Sequence, residues 1–341
     1  MLKTIALLVP AIRRLHDDRN QIAAIKSSLE AELCRREEQI SSLNAIINGY
    51  SGLSSRLEEL LSQREGSAVD QSGLSGKIDE VLSRTASLEE ELRFSVADIR
   101  CEHFHIDKAR EALAHTYRLV TDHPIAYQSD DHIHPRGTRN DNTRSPRFVS
   151  AAERIFQRKI RVLELGCAGG GLVLDFLLAG HEAVGVEGSD YSLIWKRAEW
   201  ANIPNHLFTA DITQPFKFME SDQAVKFDLI TAWELLEHIG DGSLDGLFEN
   251  IRRHLSHDGL FVGSVATFDD FDGTTGAIWH VTVKPREWWQ ERITRAGFEV
   301  VDEPFSTADY PRGSGNPRAH DWNASTHPEL GFHICFRNPK R

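Results

Sequence analysis

At 341 residues the chain is long enough for one well-buried domain with a further element beside it, and 40% hydrophobic against 26% charged residues is a globular balance. A formal net charge of -12 argues against non-specific capture of nucleic acid, which needs a clustered cationic surface to displace counterions, so no nucleic-acid partner is expected, although a local basic patch is compatible with that total. Its 4 cysteines include no Cys-x-x-Cys pair, which excludes a zinc knuckle or a disulfide framework and fits a reducing, cytoplasmic setting.

The opening stretch, MLKTIALLVPAIRRL, carries an apolar patch from Ile5 to Val9 that is too short to span a membrane and lacks a small-residue cleavage site. It reads as a helical lead-in, with peripheral contact at a membrane surface as the alternative. From Ile22 to Ile99 a seven-residue register holds, with Ile22, Leu29, Leu43, Leu57, Ile78, Leu92 and Ile99 on one position and Ile25, Ile46, Leu53, Leu60, Leu74, Val81 and Leu88 on the other. Residues 1–119 are therefore expected to be an α-helical coiled-coil region, in two blocks separated by the polar stretch REGSAVDQSG at 64–73. A narrow apolar stripe must be covered. Either a second copy of the chain covers it, giving a homo-oligomer, or the two blocks fold back on each other.

Residues 120–158 change character. Histidines, acids, arginines and prolines replace the repeat over 120–149, with Ile125, Tyr127, Ile133 and Phe148 as apolar anchors, and a short helix is expected from Ser150 to Arg158. This segment reads as a polar lid or linker. Asp130, Asp131, His132 and His134 have metal-ligand chemistry, but they are all local and no metal is expected.

Over 159–341 apolar runs alternate with amphipathic ones: RVLEL, GLVLDFLLAG, EAVGVE, YSLIWKRAEW, HLFTA, FDLITAW, LDGLFENIRRHL, LFVGSVA, REWWQERITRAG, FEVVDE and FHICFR. Near-continuous apolar strands separated by helices predict an α/β domain with a mostly parallel sheet covered on both faces, and a ligand outside the carboxyl ends of the strands. The loop Gly166-Cys167-Ala168-Gly169-Gly170-Gly171 follows the first of these strands. Alone it also satisfies a dinucleotide pattern, a weak signal. Glu164, at the strand end, would repel a pyrophosphate and suits an ammonium group. Glu187 ends the second strand, where a carboxylate can accept from both hydroxyls of a ribose, with a surface charge as the alternative; Asp211 follows the third, where it can accept from the adenine amine, with a helix N-cap or turn residue as the alternative. Ammonium, ribose and adenine together describe S-adenosylmethionine.

In VLELGCAGGG, AVGVEGSD, TADI, FDLITAWELLEHI and LSHDGLFVGSVAT, residues 159–341 resemble the class I S-adenosylmethionine-dependent methyltransferases. The resemblance implies a Rossmann-like seven-stranded sheet with S-adenosylmethionine as cofactor. It implies further that Glu164, Gly166 and Gly170, with Cys167 and Ala168 of the same loop, surround the methionine portion. Glu187 and Gly188 would meet the ribose, Asp211 and Ile212 the adenine, and Ala232, Trp233 and Glu234 would lie beside the sulfonium.

For a hydroxyl acceptor, His238 and His280 are the candidate catalytic bases, each with a structural role as its alternative. Arg136, Asn140, Asn142 and Arg144 are candidate lid contacts to a polyhydroxylated partner; the alternative is a network that only fixes the loop. Phe268 to Lys284 and Phe305 to Glu329 are expected to complete the acceptor pocket. The expected function is O-methylation of a carbohydrate or glycan, by architectural analogy with chain-terminating glycan methyltransferases that carry a coiled coil. Methylation of a small phenolic or quinone-like acceptor and an inactive coiled-coil scaffold are the alternatives.

Overall fold

Everything described below belongs to the unit running from Cys101 to Arg341. The computed structural model describes residues 112–302, 304–316 and 321–339 of the chain. The coiled-coil register over 22–99, and the oligomer expected from it, lie outside the described residues.

The chain enters through strand β1 (Tyr117–Thr121) and passes through the short helices α1 (Asp130–Ile133) and α2 (Arg136–Asn140) to α3 (Pro146–Phe156). Then follow β2 (Arg161–Leu165), α4 (Gly171–Leu178), β3 (Glu182–Glu187), α5 (Tyr191–Ile194) and β4 (Leu207–Thr209). A hairpin of β5 (Phe216–Glu220) and β6 (Gln223–Ala224) precedes β7 (Phe227–Trp233) and α6 (Leu244–His254). β8 (Leu255–Ala266), α7 (Arg286–Arg295), β9 (Glu299–Val300) and β10 (Gly331–Arg337) complete the unit.

The main sheet has seven strands in the order β4-β3-β2-β7-β8-β10-β9. From β4 to β8 all pairings are parallel, and β10 runs antiparallel to both of its neighbours. Successive side chains of a strand point to opposite faces, so strands that are apolar throughout must be covered twice. On one face Leu163, Leu165, Val184, Val186 and Ile230 pack with Leu247, Phe248 and Ile251 of α6 and with Trp289 and Ile293 of α7. On the other, Val162, Ala183, Leu229 and Val262 pack with Phe148 and Ala152 of α3 and with Phe176 and Leu177 of α4.

Three local readings change. The helical region expected through residue 119 gives way to β1, whose Tyr117–Thr121 pair antiparallel with Glu220–Phe216 of β5 in a separate three-stranded sheet, β1-β5-β6. Tyr117 is buried and its hydroxyl donates to Glu182 of β3 at 2.8 Å, which ties this small sheet to the large one. Second, α3 starts at Pro146, whose fixed φ suits a first helical turn, and it belongs to the domain core through Phe148, which meets Phe176 and Trp233 at ring separations of 6.1 and 5.1 Å. Residues 120–158 are thus clamped into the α/β unit at both ends. Third, YSLIWKRAEW is no continuous helix: Lys196 and Ala198 take left-handed φ values of 47°, which splits it into α5 and a 3-10 turn at Ala198–Ala201. Among the described residues no helix is long and apolar enough to cross a membrane.

Candidate cofactor and acceptor site

A cavity of about 940 Å³ opens where β2, β3, β4 and β7 end. The glycine loop forms its floor. The N–H groups of Gly166 and Cys167 both donate to the Val186 carbonyl, at 2.8 and 3.1 Å, folding the loop over β3. Gly166 sits at φ 71°, and a Cβ there would approach the Leu235 side chain to 2.9 Å, so the turn needs glycine on both counts. Ala168 also takes a left-handed φ, 44°. Its conformation is held from two sides, because its N–H donates to Glu187 at 2.8 Å and its carbonyl accepts from the Trp200 indole at 2.8 Å.

Glu187 accepts the N–H groups of Ala168, Gly188 and Ser189 and the hydroxyl of Thr138 in α2, the last at 3.2 Å. Burial pushes its carboxyl above the usual range, against these donors, which favour the charge. Asp211 closes a turn by accepting the N–H and hydroxyl of Thr213 at 3.0 and 2.6 Å, and it also lines the cavity. Gly166, Ala168, Gly188, Ile212, Trp233 and Glu234 line it as well. Glu164, Cys167, Gly170 and Ala232 stand behind this surface. Glu164 is buried beneath the loop with Oε2 unpartnered, and burial, reinforced by Asp175 and Glu187, pushes its carboxyl well up. Glu164 does not itself line the cavity, and its free oxygen is the one left for the ammonium group expected of it.

The lid divides in the same way. Arg136 and Asn140 line the cavity. Arg136 pairs with Asp270 and lies over the Trp279 ring, 3.9 Å from its centroid. Asn142 and Arg144 do not line it: Asn142 donates to Glu199 at 3.2 Å, and Arg144 pairs with the buried Asp175 of α4. These two fix the loop. Of the local group at 130–134, Asp130 accepts the Ile278 N–H at 2.7 Å, and the His132 ring sits edge-on to Tyr127 at 5.2 Å.

Asp131 reaches His238 instead, with its carboxylate 2.8 Å from Nδ1. Burial opposes the charge on His238, but the Asp131 hydrogen bond and charge outweigh it and the ring is pushed up to about 9. The His280 ring lies 4.9 Å from that of His238, nearly perpendicular to it, with Nδ1 2.6 Å from the Phe268 carbonyl. Burial lowers the pKa of His280. Both rings line the cavity.

Sequence reasoning passed over Glu237 and Arg312. Glu237, in the turn Leu236–His238 that follows β7, is fully buried and burial pushes it up to about 8. Its position inside an apolar-looking LLE run hides it. Arg312 comes from beyond α7 to line the cavity and pairs with Asp141 at 2.8 Å. The Trp322 indole donates to Glu234 at 2.6 Å. Glu234 itself has φ 47°, and its N–H is held by Ser264, a strained strand end of the kind found at functional sites.

Residues 138–303 match a family model described as a methyltransferase domain. No curated protein matches the chain. Solved structures similar to it include the glycopeptide N-methyltransferase MtfA, 18% identical over 57% of this chain and 90% of that one, with a TM-score of 0.38. The DhpI–SAH complex is 20% identical over 65% and 100% of the two chains, with a TM-score of 0.40. The CcbJ methyltransferase from Streptomyces caelestis is 16% identical over 62% and 96%, with a TM-score of 0.40. MtfA structures have also been solved with S-adenosylmethionine and with sinefungin.

Proposed function

We propose that the chain is an S-adenosylmethionine-dependent methyltransferase that modifies an oxygen of a carbohydrate or glycan. The supporting observation is that the glycine loop, Glu187 and Asp211, all inside the matched segment, come together on one cavity at the carboxyl ends of the parallel strands. The donor set fits the cofactor. Carboxylates Asp130, Asp131, Asp141, Glu187, Asp211, Glu234 and Asp270 line the cavity, while its arginines, Arg136 and Arg312, are both ion-paired. Such a surface attracts a ligand that carries an ammonium and a sulfonium. Glu187 already accepts a hydrogen bond from the Thr138 hydroxyl, at the strand end where a ribose hydroxyl would donate.

When bound, the cofactor supplies an electrophilic methyl group, whose bond to sulfur breaks as the bond to the acceptor oxygen forms. The chain's own contribution is alignment and exclusion of water. Glu187 and Asp211 hold the nucleoside end. Trp279, covered by Arg136 and bonded through its indole N–H to the His134 carbonyl at 3.2 Å, helps close the acceptor side. The acceptor hydroxyl loses its proton as the new bond forms, and His280, which burial keeps neutral, is the base offered to it; His238, pushed up to about 9 by Asp131, is protonated and gives way from base to hydrogen-bond donor.

The apolar rim of the same cavity, formed by Phe268, Ile278 and Val281, which are 37%, 52% and 50% exposed, favours an acceptor with an apolar portion. A lipid-linked glycan has one; so does the second reading, a phenolic or quinone-like acceptor. Calorimetric titration with S-adenosylmethionine and S-adenosylhomocysteine tests the cofactor, with micromolar binding expected. Glu187→Ala should weaken it by about 1–3 kcal/mol, roughly 5- to 150-fold. No binding to the wild-type chain refutes the enzyme reading and leaves the scaffold. Methyl incorporation into phenols but into no glycan would refute the glycan.

A further inference from the structure

We propose that Glu237, His238 and His280 form a binding site for a divalent transition-metal cation on the acceptor wall of the cavity. One ligand-type atom from each of the three residues lies within 4.8 Å of the other two. Ligand atoms sharing one ion at bond lengths of about 2 Å stand roughly 3–4 Å apart, so small side-chain rotations bring these three onto a common centre.

The state of each group points to a ligand. Glu237 is fully buried; its Oε1 accepts the Ala266 N–H at 2.8 Å, but Oε2 has no hydrogen-bond partner among the described residues. A buried carboxylate oxygen left unpaired is costly unless a cation or a proton satisfies it. Each histidine has its Nδ1 engaged, His238 by the Asp131 carboxylate and His280 by the Phe268 carbonyl, which turns Nε2 to a further partner; at His280 the Asp270 carboxylate stands 3.9 Å from Nε2, beyond hydrogen-bond reach. Backing by a carboxylate on one ring and a main-chain carbonyl on the other is how metal-binding imidazoles are commonly oriented. The two ligand segments are also tied together in the backbone, since the Glu237 carbonyl accepts the N–H groups of both Val281 and Thr282 at 2.9 Å. The same residue thus supplies a carboxylate and fixes the loop segment that carries His280.

Two imidazole nitrogens and one carboxylate oxygen suit Zn2+, Mn2+, Fe2+ or Co2+ better than the all-oxygen preferences of Mg2+ and Ca2+. Three protein ligands leave coordination positions open, and because both histidines line the cavity those positions face it. An acceptor hydroxyl ligated there is held in place and made more acidic. This last role rests on the methyltransferase reading; the site does not.

The test uses the full chain, stripped of metal by chelator dialysis and titrated calorimetrically with Zn2+, Mn2+ and Mg2+, with Co2+ absorption as a report on geometry. The expected result is one tight Zn2+ or Mn2+ per chain and weak Mg2+ binding. Asp131→Asn, a positioning change, should weaken that binding by roughly 10- to 100-fold, and His280→Ala by at least as much. Circular-dichroism thermal melts of the same variants report their fold, and S-adenosylmethionine titration of the wild-type chain tests the cofactor separately. Absence of stoichiometric uptake overturns the site and indicates that Glu237 is satisfied by a proton; uptake unchanged in His280→Ala overturns it equally. Metal uptake without cofactor binding removes the methyltransferase reading and leaves the site standing, whereas cofactor binding without uptake does the reverse.

Discussion

Arg144→Ala separates a loop anchor from a substrate contact. Asp175 is 5% exposed and accepts two guanidinium N–H groups of Arg144 as well as the Ser145 N–H at 2.6 Å. Removing one partner of a buried ion pair costs about 3–5 kcal/mol. The Arg144 side chain is 28% exposed, so solvent already screens part of the pair and about 2–3 kcal/mol is the better expectation. For a unit of this size that lowers Tm by roughly 5–10 °C. The sign of the pH dependence adds a second check. Burial already raises the Asp175 carboxyl in spite of Arg144, and losing the arginine raises it further. A carboxyl whose folded-state pKa is raised favours folding in its neutral form, so the deficit of the variant is largest at neutral and alkaline pH and shrinks on acidification. Urea unfolding followed by circular dichroism at pH 8 and pH 5.5 measures both. A loss below about 0.5 kcal/mol at pH 8, or a deficit that grows in acid, would refute the anchoring role.

Gly246→Ala should destabilise the chain by about 1–3 kcal/mol, because a Cβ there runs into the Thr213 carbonyl oxygen. Thr213 holds Asp211, so calorimetry should also show weaker cofactor binding; unchanged affinity would uncouple that turn from the site. His254 donates to the Asn250 carbonyl and accepts the Phe218 N–H, and burial pushes it down to about 4. Against an unfolded value near 6.5, its neutral ring contributes about 3 kcal/mol that is fully present above pH 6.5 and lost as the pH falls toward 4. The stability gap between wild type and His254→Gln should therefore narrow across that window, and a gap independent of pH contradicts the assignment. Deletion of residues 1–100, which leaves the unit Cys101–Arg341 intact, should give a monomer that still binds cofactor; an oligomer surviving the deletion, measured by light scattering, would place the interface elsewhere.

The strand-end acids were legible because each is a local event. Glu187 and Asp211 stand one step beyond an apolar run, and a parallel sheet brings all such positions to one edge. β1 was not legible as a partner of β5, since the pairing joins segments about a hundred residues apart and YRLVT carries only a faint alternation. Within the lid the same difficulty recurs. Arg136 and Arg144 look alike in sequence, and only the positions of Asp270 and Asp175 decide that one faces the cavity while the other is anchored. Glu237 was hidden for a third reason: its burial depends on β8, which covers it through Ala266.

The clamping of residues 122–145 between β1 and α3 bears on how a ligand is gained and lost. A flap hinged at one end must be ordered each time it closes, and that entropy is subtracted from affinity. An arch with both feet set in the fold meets most of its ordering cost when the domain folds. Its remaining adjustment is local, chiefly surrender of the Thr138 hydrogen bond to Glu187. Cofactor exchange then resembles the loosening of a keystone, and its rate is set by a few contacts at the crown of the arch.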